Sequence, residues 1–268
     1  MAKAAILKCS ATLRDLDLSD SIAGRPEDEA LQVLQCVCSA VTGLELTSMD
    51  LSDNALGEKG VRACKEALVS QKGIEALAFK NVGCSPEACE AIAELVQCKA
   101  SLKKLHLYNN MSDNRGAQAI ARLLTECPKL EDFMMVSSRV KEEGGQALVK
   151  ALEGKSMRSL NLSDNFLGPE TGTMLAAPLA SMAHLSTLNL SETSLEDEGV
   201  MAIAQALEGA APNLEVLELA ANEITGEGCQ DLCEALAKKD NLRVLNLKEN
   251  ELGDKGAVCV AHMVKSKR

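Results

Sequence analysis

The residues that most often carry catalysis are widely separated in this sequence. Of its three histidines, His106 falls in a predicted strand at a position we expect to be exposed, His184 precedes a strand, and His262 falls in the last predicted helix. The chain therefore offers no pairing of histidine with cysteine, or with serine and aspartate, that would support a nucleophilic mechanism.

Motifs for metals and nucleotides do not stand out either. Cys229 and Cys233 lie four residues apart in a helical pattern without a nearby histidine, which is more typical of buried helix cysteines than of a zinc site. No G-x-x-x-x-G-K-[ST] phosphate-binding loop occurs. The carboxylates of Glu142-Glu143 and Glu196-Asp197-Glu198 fall where predicted helices begin, and there they complement the helix dipole. We expect neither metal nor cofactor, and a binding surface is the default function.

Composition narrows the class further. The 268 residues carry a net charge of −11, only 1% are aromatic, and there is no tryptophan. An acidic surface repels phosphate backbones, so we expect no nucleic-acid partner. The N-terminal residues do not resemble a signal peptide, and no apolar run reaches the ~18 residues of a membrane-spanning helix. The 11 cysteines show no regular framework, so we expect a reduced, cytoplasmic protein with mostly buried thiols. We also expect the protein to be a monomer.

The elements that position these residues follow one repeated pattern, L-x-x-L-x-L-x-x-N-x-L. Its third apolar residue, the index residue, recurs at intervals of 33, 28, 28, 28, 27, 28, 29 and 28 residues. Such a steady period is typical of a solenoid. The index residues are Leu18, Leu51, Phe79, Leu107, Met135, Leu162, Leu190, Leu219 and Leu247.

Each repeat predicts a short strand followed by a helix. The alternating apolar residues give a strand with one buried face, and residues 58–69 place Val61, Cys64, Leu68 and Val69 on one helical stripe. We predict an α/β leucine-rich repeat solenoid, a crescent of the ribonuclease-inhibitor type, with about nine repeats of ~28 residues. Parallel strands would line the concave face and helices the convex face. Since no repeat buries its apolar face alone, residues 1–268 should form a single domain.

The asparagine three residues after the index residue is expected to form a hydrogen-bonded ladder between neighbouring turns. Four repeats lack it, and in one of them Val82 has no side-chain hydrogen bond to offer. The first interval is the longest, which predicts an enlarged first loop at residues 21–29. The last helical pattern reaches Arg268 without a polar capping repeat, so we expect the chain to be part of a longer protein.

The loops after the strands should share one rim, on which the residue before the ladder position points outward. Two repeats have asparagine there, Asn81 and Asn109, and the doublet Asn109-Asn110 stands out because the ladder needs only one asparagine. Arg25 lies in the enlarged loop, and Arg139 lies in the loop after that of Asn109. Each residue on its own is an ordinary solvated side chain.

Together these loops resemble those of the Ran GTPase-activating proteins (RanGAP), especially the plant and green-algal type. The likeness covers nearly the whole chain. It is carried by AGRPEDE at residues 23–29, KNVGCS at 80–85, NNMS at 109–112, SSRV at 137–140 and LEVLELA at 214–220.

The resemblance implies a protein that is not itself an enzyme but binds GTP-bound Ran, accelerates its GTP hydrolysis in trans and so regulates nucleocytoplasmic transport. In the family, a rim asparagine helps to hold the glutamine of Ran that positions the attacking water, and no arginine finger is used. Counting repeats from the loop of Arg25 favours Asn81 for that role, with Asn109 as the alternative. Arg25, Lys80, Asn109 and Arg139 are then the implied partner-binding residues.

The chain also departs from the family. Plant members carry an N-terminal Trp-Pro-containing domain that targets the nuclear envelope, and the family has an acidic C-terminal tail. This chain has no tryptophan and ends in basic residues, so a nuclear-envelope location applies only to a longer form. The alternative is a non-catalytic leucine-rich repeat scaffold or inhibitor. Such a scaffold would bind through concave, often aromatic positions, of which Tyr108 is the one aromatic example.

Overall fold

The computed structural model describes residues 12–267. The chain divides into two compact units, Met1–Leu130 and Glu131–Arg268. Each unit repeats one step, in which a short strand is followed by a loop, a helix and a return to the next strand. The single domain expected over residues 1–268 stays a prediction.

The described part of the first unit has four strands that pair in parallel and in chain order. Their buried residues Leu16, Met49, Leu77 and Leu105 lie in register. The strands are β1 (Asp15–Asp17), β2 (Ser48–Asp50), β3 (Ala76–Lys80) and β4 (Lys104–Tyr108). The helices are α1 (Glu27–Ala40), α2 (Gly57–Ala63), α3 (Lys65–Ser70), α4 (Pro86–Leu95) and α5 (Asp113–Thr125).

The described part of the second unit continues the same scheme with five parallel strands. The strands are β5 (Asp132–Val136), β6 (Ser159–Asn161), β7 (Thr187–Asn189), β8 (Val216–Glu218) and β9 (Val244–Asn246). The helices are α6 (Glu142–Ala151), α7 (Gly168–Leu179), α8 (Glu196–Gly209), α9 (Gly226–Leu236) and α10 (Gly253–Ser266). The predicted fold class, a leucine-rich repeat α/β protein, is confirmed. None of these helices is long and apolar enough to cross a bilayer.

Aliphatic side chains at the repeat positions form the core of each unit. In β4, Leu105 and Leu107 are fully buried, and Phe79 of β3 and Phe133 of β5 occupy equivalent positions at 0% exposure. Burying one such side chain contributes about 1.5–3 kcal/mol. A repeated set of these residues is therefore sufficient to stack successive strands and helices.

Some helical details differ from the prediction. The helix predicted over residues 58–69 is divided at Cys64, whose backbone has φ −81° and ψ 4°. The break shifts the buried side of α3 to Ala67 and Leu68. Val69 is consequently 38% exposed, and its assignment to the buried stripe is wrong.

The first loop is enlarged as predicted, but its predicted span of residues 21–29 is too long, since residues 27–29 form the first turn of α1. Between β1 and α1 the chain runs through residues 18–26, nine residues, whereas between β2 and α2 it runs through residues 51–56, six residues. Two prolines lie in the first turns of helices, where the missing N–H costs no helical hydrogen bond. Pro86 begins α4, and Pro169 lies in the first turn of α7.

Glycines near the starts of the helices allow neighbouring helices to approach closely. A Cβ atom added to Gly172 of α7 would lie 2.8 Å from the Cα atom of Gly199 in α8. The obstructing atom belongs to the backbone, so a side-chain rotation cannot relieve the contact. The spacing of α7 and α8 therefore requires glycine at position 172.

We predict that Gly172→Ala lowers the free energy of unfolding by about 1–3 kcal/mol, because the added methyl group forces the two helix backbones apart. The matched control is Gly209→Ala at the end of α8, where an added Cβ meets nothing within 4 Å. It should be neutral or slightly stabilising. Urea denaturation followed by circular dichroism measures both, and equal stability of the two variants would contradict the packing argument.

Candidate partner-binding site

One backbone position is unusual in every repeat. The residue two places after the index residue has φ between 48° and 58°, in the left-handed region. Asparagine and aspartate tolerate this region better than most side chains do. The nine residues are Asp20, Asp53, Asn81, Asn109, Ser137, Asp164, Glu192, Ala221 and Glu249.

This conformation changes the interpretation of the doublet Asn109-Asn110. Asn109 has φ 51°, so the backbone itself favours asparagine there. The repeat still needs only one asparagine, the ladder residue, because the left-handed position before it is occupied by aspartate, glutamate, serine or alanine in the other repeats. Asn81 meets the same demand with φ 52°.

The second residue of the doublet belongs to the predicted ladder. Oδ1 of Asn110 accepts the backbone N–H groups of Val82 (3.2 Å) and Cys84 (3.0 Å), and its Nδ2 donates to the carbonyl of Phe79 (2.8 Å). Only 3% of Asn110 is exposed. Asn54, Asn165, Asn222 and Asn250 bond the preceding turn in the same way. The asparagine ladder is confirmed.

Repeats without a ladder asparagine use a backbone carbonyl instead. The carbonyl of Val82 accepts the N–H groups of Leu56 (3.0 Å) and Gly57 (3.2 Å). The carbonyl of Thr193 accepts the N–H of Gly168 at 3.1 Å. The expectation that Val82 cannot contribute to the ladder is therefore correct for its side chain and wrong for the residue.

Three outward-pointing residues of the first unit form a hydrogen-bonded row, which we call the rim triad: Asp53, Asn81 and Asn109. Nδ2 of Asn81 donates to Oδ1 of Asp53 at 3.2 Å, and Nδ2 of Asn109 donates to Oδ1 of Asn81 at 3.1 Å. All three residues are exposed. The row gives Asn81 a defined orientation, because a carboxylate can only accept and the NH₂ end of Asn81 must face Asp53.

Cationic and apolar groups flank the rim triad. Lys80 precedes Asn81 and lies in register with Tyr108 of β4. Lys80 is half-buried, and its ammonium group forms no ion pair with the described residues. Tyr108 and Met111 are 45% and 48% exposed. Side chains of this kind are suited to contact a protein partner.

Arg25 forms no hydrogen bond with the residues of the rim triad. Its guanidinium group pairs with Glu29 one helical turn further along the chain, at 2.5 Å, and is 41% exposed. Its backbone N–H donates to the carbonyl of Ile22 at 3.2 Å. The structure thus joins Asn81 to Asn109 and leaves Arg25 attached to its own loop and helix.

Arg139 belongs to the second unit. It is exposed, has φ 57°, and its side chain makes no hydrogen bond or ion pair with the described residues. An arginine in the left-handed region is uncommon. The side chain of Arg139 is accessible from solvent.

Sequence reasoning missed Asp53 and misplaced His106. Asp53 lies in Ser-Asp-Asn, which reads as the generic repeat, and the available signal was its position one repeat before Asn81. His106 was expected to be exposed, but only 7% of it is exposed. It lies in the middle of β4, in register with Ala78.

The thiol nearest to the rim triad in sequence is not a nucleophile. Cys84 is fully buried, and a hydrogen bond with Cys89, together with burial, raises its pKa well above the ordinary value. The thiol therefore stays protonated at neutral pH. Eight of the ten cysteines among the described residues are buried, whereas Cys36 is exposed and Cys259 is half-buried. Over residues 12–267, no cluster of three or more potential ligands could hold a metal ion.

We predict opposite outcomes for the two members of the doublet. Asn110→Ala should lower the free energy of unfolding by about 2–4 kcal/mol, because it leaves buried backbone groups of the loop after β3 without partners. Asn109→Gly should change it by less than about 1 kcal/mol, since glycine keeps the left-handed conformation. Chemical denaturation of both variants measures this difference. An Asn109→Gly loss as large as that of Asn110→Ala would show that the rim position also supports the fold.

Comparisons with known proteins agree with the fold. A family model described as "Leucine Rich repeat" matches residues 181–204, 210–233 and 239–261. A crystal structure titled as the complex of Rad7 and Elc1 in yeast has a similar fold, with a TM-score of 0.57, 15% identity and coverage of 87% of this chain and 57% of that one.

Two proteins of similar sequence carry names that describe different functions. The chain is 44% identical to "RAN GTPase-activating protein 2" of Arabidopsis thaliana over 253 residues, which cover 94% of this chain and 46% of that protein. It is 27% identical to "Ribonuclease inhibitor" of Sus scrofa over 308 residues, which cover 94% of this chain and 68% of that protein. The chain thus spans less than half of the Arabidopsis relative. By its repeats and its strand–helix order, and in agreement with these matches, the chain has the leucine-rich repeat fold.

Proposed function

We propose that this chain is a GTPase-activating domain that acts on Ran in its GTP-bound state. The observation that carries the proposal is the 44% identity to the Arabidopsis RAN GTPase-activating protein over 94% of the chain. The chain would not catalyse hydrolysis with a nucleophile of its own. It would complete the active site of another protein.

The chemistry of phosphoryl transfer suits this division of labour. Such reactions depend on the positioning of the attacking water and on electrostatic stabilisation, and they need no covalent catalyst. A rim amide can hold the side-chain amide of a glutamine, because each amide has both a donor and an acceptor. The rim triad supplies two such amides in a fixed row, those of Asn81 and Asn109.

The two asparagines have different remaining capacity. Asn81 uses its carbonyl and one N–H within the row, so one N–H and one acceptor site remain. Asn109 makes no hydrogen bond through its own Oδ1 with the described residues, and its carbonyl is open. The count of repeats from the loop of Arg25 favours Asn81 as the residue that contacts the glutamine. The open carbonyl of Asn109 supports Asn109 as the alternative.

The neighbouring residues have roles in binding. The ammonium group of Lys80, which has no ion-pair partner among residues 12–267, can bind acidic groups of the partner. The Tyr108 side chain supplies an apolar ring and a hydroxyl group for contact. Arg25 is held by Glu29, which suits a residue that organises the contact loop better than one that reaches into the active site of the GTPase. Arg139 adds a further cationic contact from the second unit.

Charge complementarity supports a basic partner surface. The chain carries a net charge of −11, which speeds association with a positively charged face at low ionic strength. We propose a cytoplasmic site of action, where hydrolysis of GTP on Ran would regulate nucleocytoplasmic transport. Attachment to the nuclear envelope would require a segment that targets the protein there.

The rival candidate is a non-catalytic binding scaffold. It is favoured by the match to porcine ribonuclease inhibitor, which covers 68% of that protein. A scaffold would bind a partner without accelerating any reaction. Measurement of the hydrolysis rate therefore separates the two candidates directly.

In single-turnover hydrolysis of GTP by purified Ran, we expect this chain to raise the rate by several orders of magnitude. For comparison, a GTPase-activating protein raises the rate of GTP hydrolysis by Ras about 10⁵-fold. Asn81→Gly should reduce the accelerated rate by at least about 100-fold, since loss of one transition-state contact of this kind costs about 10²–10³ in rate. Glycine is preferable to alanine here, because it removes the amide without straining the left-handed backbone.

The matched control is Ala221→Gly, which introduces glycine at the equivalent position of another repeat, with φ 50°. It should leave the rate unchanged. A larger loss for Asn109→Gly than for Asn81→Gly would transfer the role to Asn109. If binding to Ran occurs without acceleration, the scaffold function replaces the proposed one.

For Arg25, we expect Arg25→Ala to weaken activation about 10-fold through the affinity for Ran, because the loop loses its attachment to Glu29. Arg25→Lys should retain part of the activity, since lysine keeps the charge but not the planar guanidinium geometry. Titration of the activator at fixed Ran separates affinity from the maximal rate. A loss confined to the maximal rate would indicate direct participation in the reaction, and unchanged values for both variants would reject any role.

A further inference from the structure

We infer that Asp53 is a positioning residue: its carboxylate sets the orientation of the Asn81 amide, and through it that of Asn109. The inference rests on the proposed function for its catalytic consequence. Its structural part, the orientation of two side-chain amides, can be measured independently of any activity.

The backbone fixes the distance between these residues. The backbone N–H of Asp53 donates to the carbonyl of Lys80 at 2.8 Å, and that of Asn81 donates to the carbonyl of Tyr108 at 2.6 Å. Asp53 and Asn81 are thereby tied to the ends of β3 and β4. Asp53, Asn81 and Asn109 also share the same left-handed conformation, so their side chains leave the backbone in the same direction.

The carboxylate of Asp53 makes the two orientations of the Asn81 amide unequal in energy, whereas an isolated exposed asparagine can adopt either. An exposed amide can rotate by about 180° and exchange its carbonyl and NH₂ ends at little cost, because water satisfies either arrangement. Next to Asp53, the rotated amide would place its Oδ1 against a carboxylate oxygen and lose the hydrogen bond of 3.2 Å. The carbonyl of Asn81 is therefore directed toward Asn109, which donates to it at 3.1 Å.

The row has a natural start at Asp53. The equivalent residue one repeat earlier is Asp20, which is also a carboxylate and has no proton to donate to Asp53. Asp20 makes no side-chain hydrogen bond with the described residues. Orientation thus runs in one direction, from Asp53 to Asn81 and then to Asn109, and leaves the Asn109 carbonyl as the outward end.

A similar contact occurs independently in the second unit. Oγ of Ser137 donates to Oδ2 of Asp164 at 2.6 Å, and both residues occupy the same outward position of their repeats. An aspartate at this position can therefore orient the side chain in the adjacent repeat. In the first unit, the side chain oriented in this way is the amide of Asn81, which we propose contacts the partner.

Two variants test the inference, with Asp20→Gly as the matched control. Asp53→Gly removes the carboxylate and keeps the left-handed backbone, whereas Asp53→Asn keeps the shape but allows either amide orientation. We expect both to slow single-turnover hydrolysis at saturating activator by about 5- to 10-fold, as for the loss of one hydrogen bond. Affinity for Ran should change less than about twofold, and Asp20→Gly should match the unaltered chain.

A structural readout keeps this test separate from the proposed function. In ¹H–¹⁵N spectra of the free protein, the side-chain amide resonances of Asn81 and Asn109 should shift in both Asp53 variants and stay in place in Asp20→Gly. In an Asn81→Gly background, Asp53→Gly should cause no further loss of rate. Unchanged amide resonances, or an additive loss in the double variant, would overturn the positioning role. If the unaltered chain does not accelerate hydrolysis, the proposed function fails, and the amide resonances alone decide the orientation.

Discussion

The loops that follow the strands present backbone N–H groups toward the interior, and the fold depends on satisfying them. An unsatisfied buried N–H costs about 1–3 kcal/mol, so nine repeats cannot leave them open. A ladder asparagine such as Asn110 accepts two of them with one oxygen, and a backbone carbonyl such as that of Val82 does the same elsewhere. To turn the ladder residue inward, the preceding residue adopts a left-handed conformation, and its side chain faces solvent.

That constraint decides where function can reside and with what chemistry. Each repeat offers one outward position, and the left-handed backbone admits mainly asparagine, aspartate and a few other residues there. In the described repeats these side chains supply mainly amides and carboxylates, with one hydroxyl group at Ser137. A row of them can orient and bind groups on another protein, which suits the activation of a GTPase that we propose. The polar row and the ladder are two consequences of one turn.

The repeats, the strand–helix order and the ladder could be predicted from sequence, because spacing and residue type determine them directly. The left-handed conformation of Asn109 could not, since a sequence shows that asparagine is present without showing which backbone demand it meets. The role of the Val82 carbonyl could not be predicted either, because a backbone acceptor leaves no mark on the pattern of side chains. The break at Cys64 and the burial of His106 depend on packing against neighbouring residues, which no single repeat encodes. The role of Asp53 could not be predicted, because its loop sequence, Ser-Asp-Asn, matches the generic repeat.

The hydrogen bonds of the exposed rim triad are individually weak in the free protein, because water competes for each donor and acceptor. That competition ends when a partner covers the rim. Excluded water lowers the local dielectric constant and strengthens every hydrogen bond in the row, so an orientation that costs little to disturb in the free protein becomes firm in the complex. An exposed row is thus compatible with a catalytic role in trans, because the partner supplies the burial and the chain supplies the orientation.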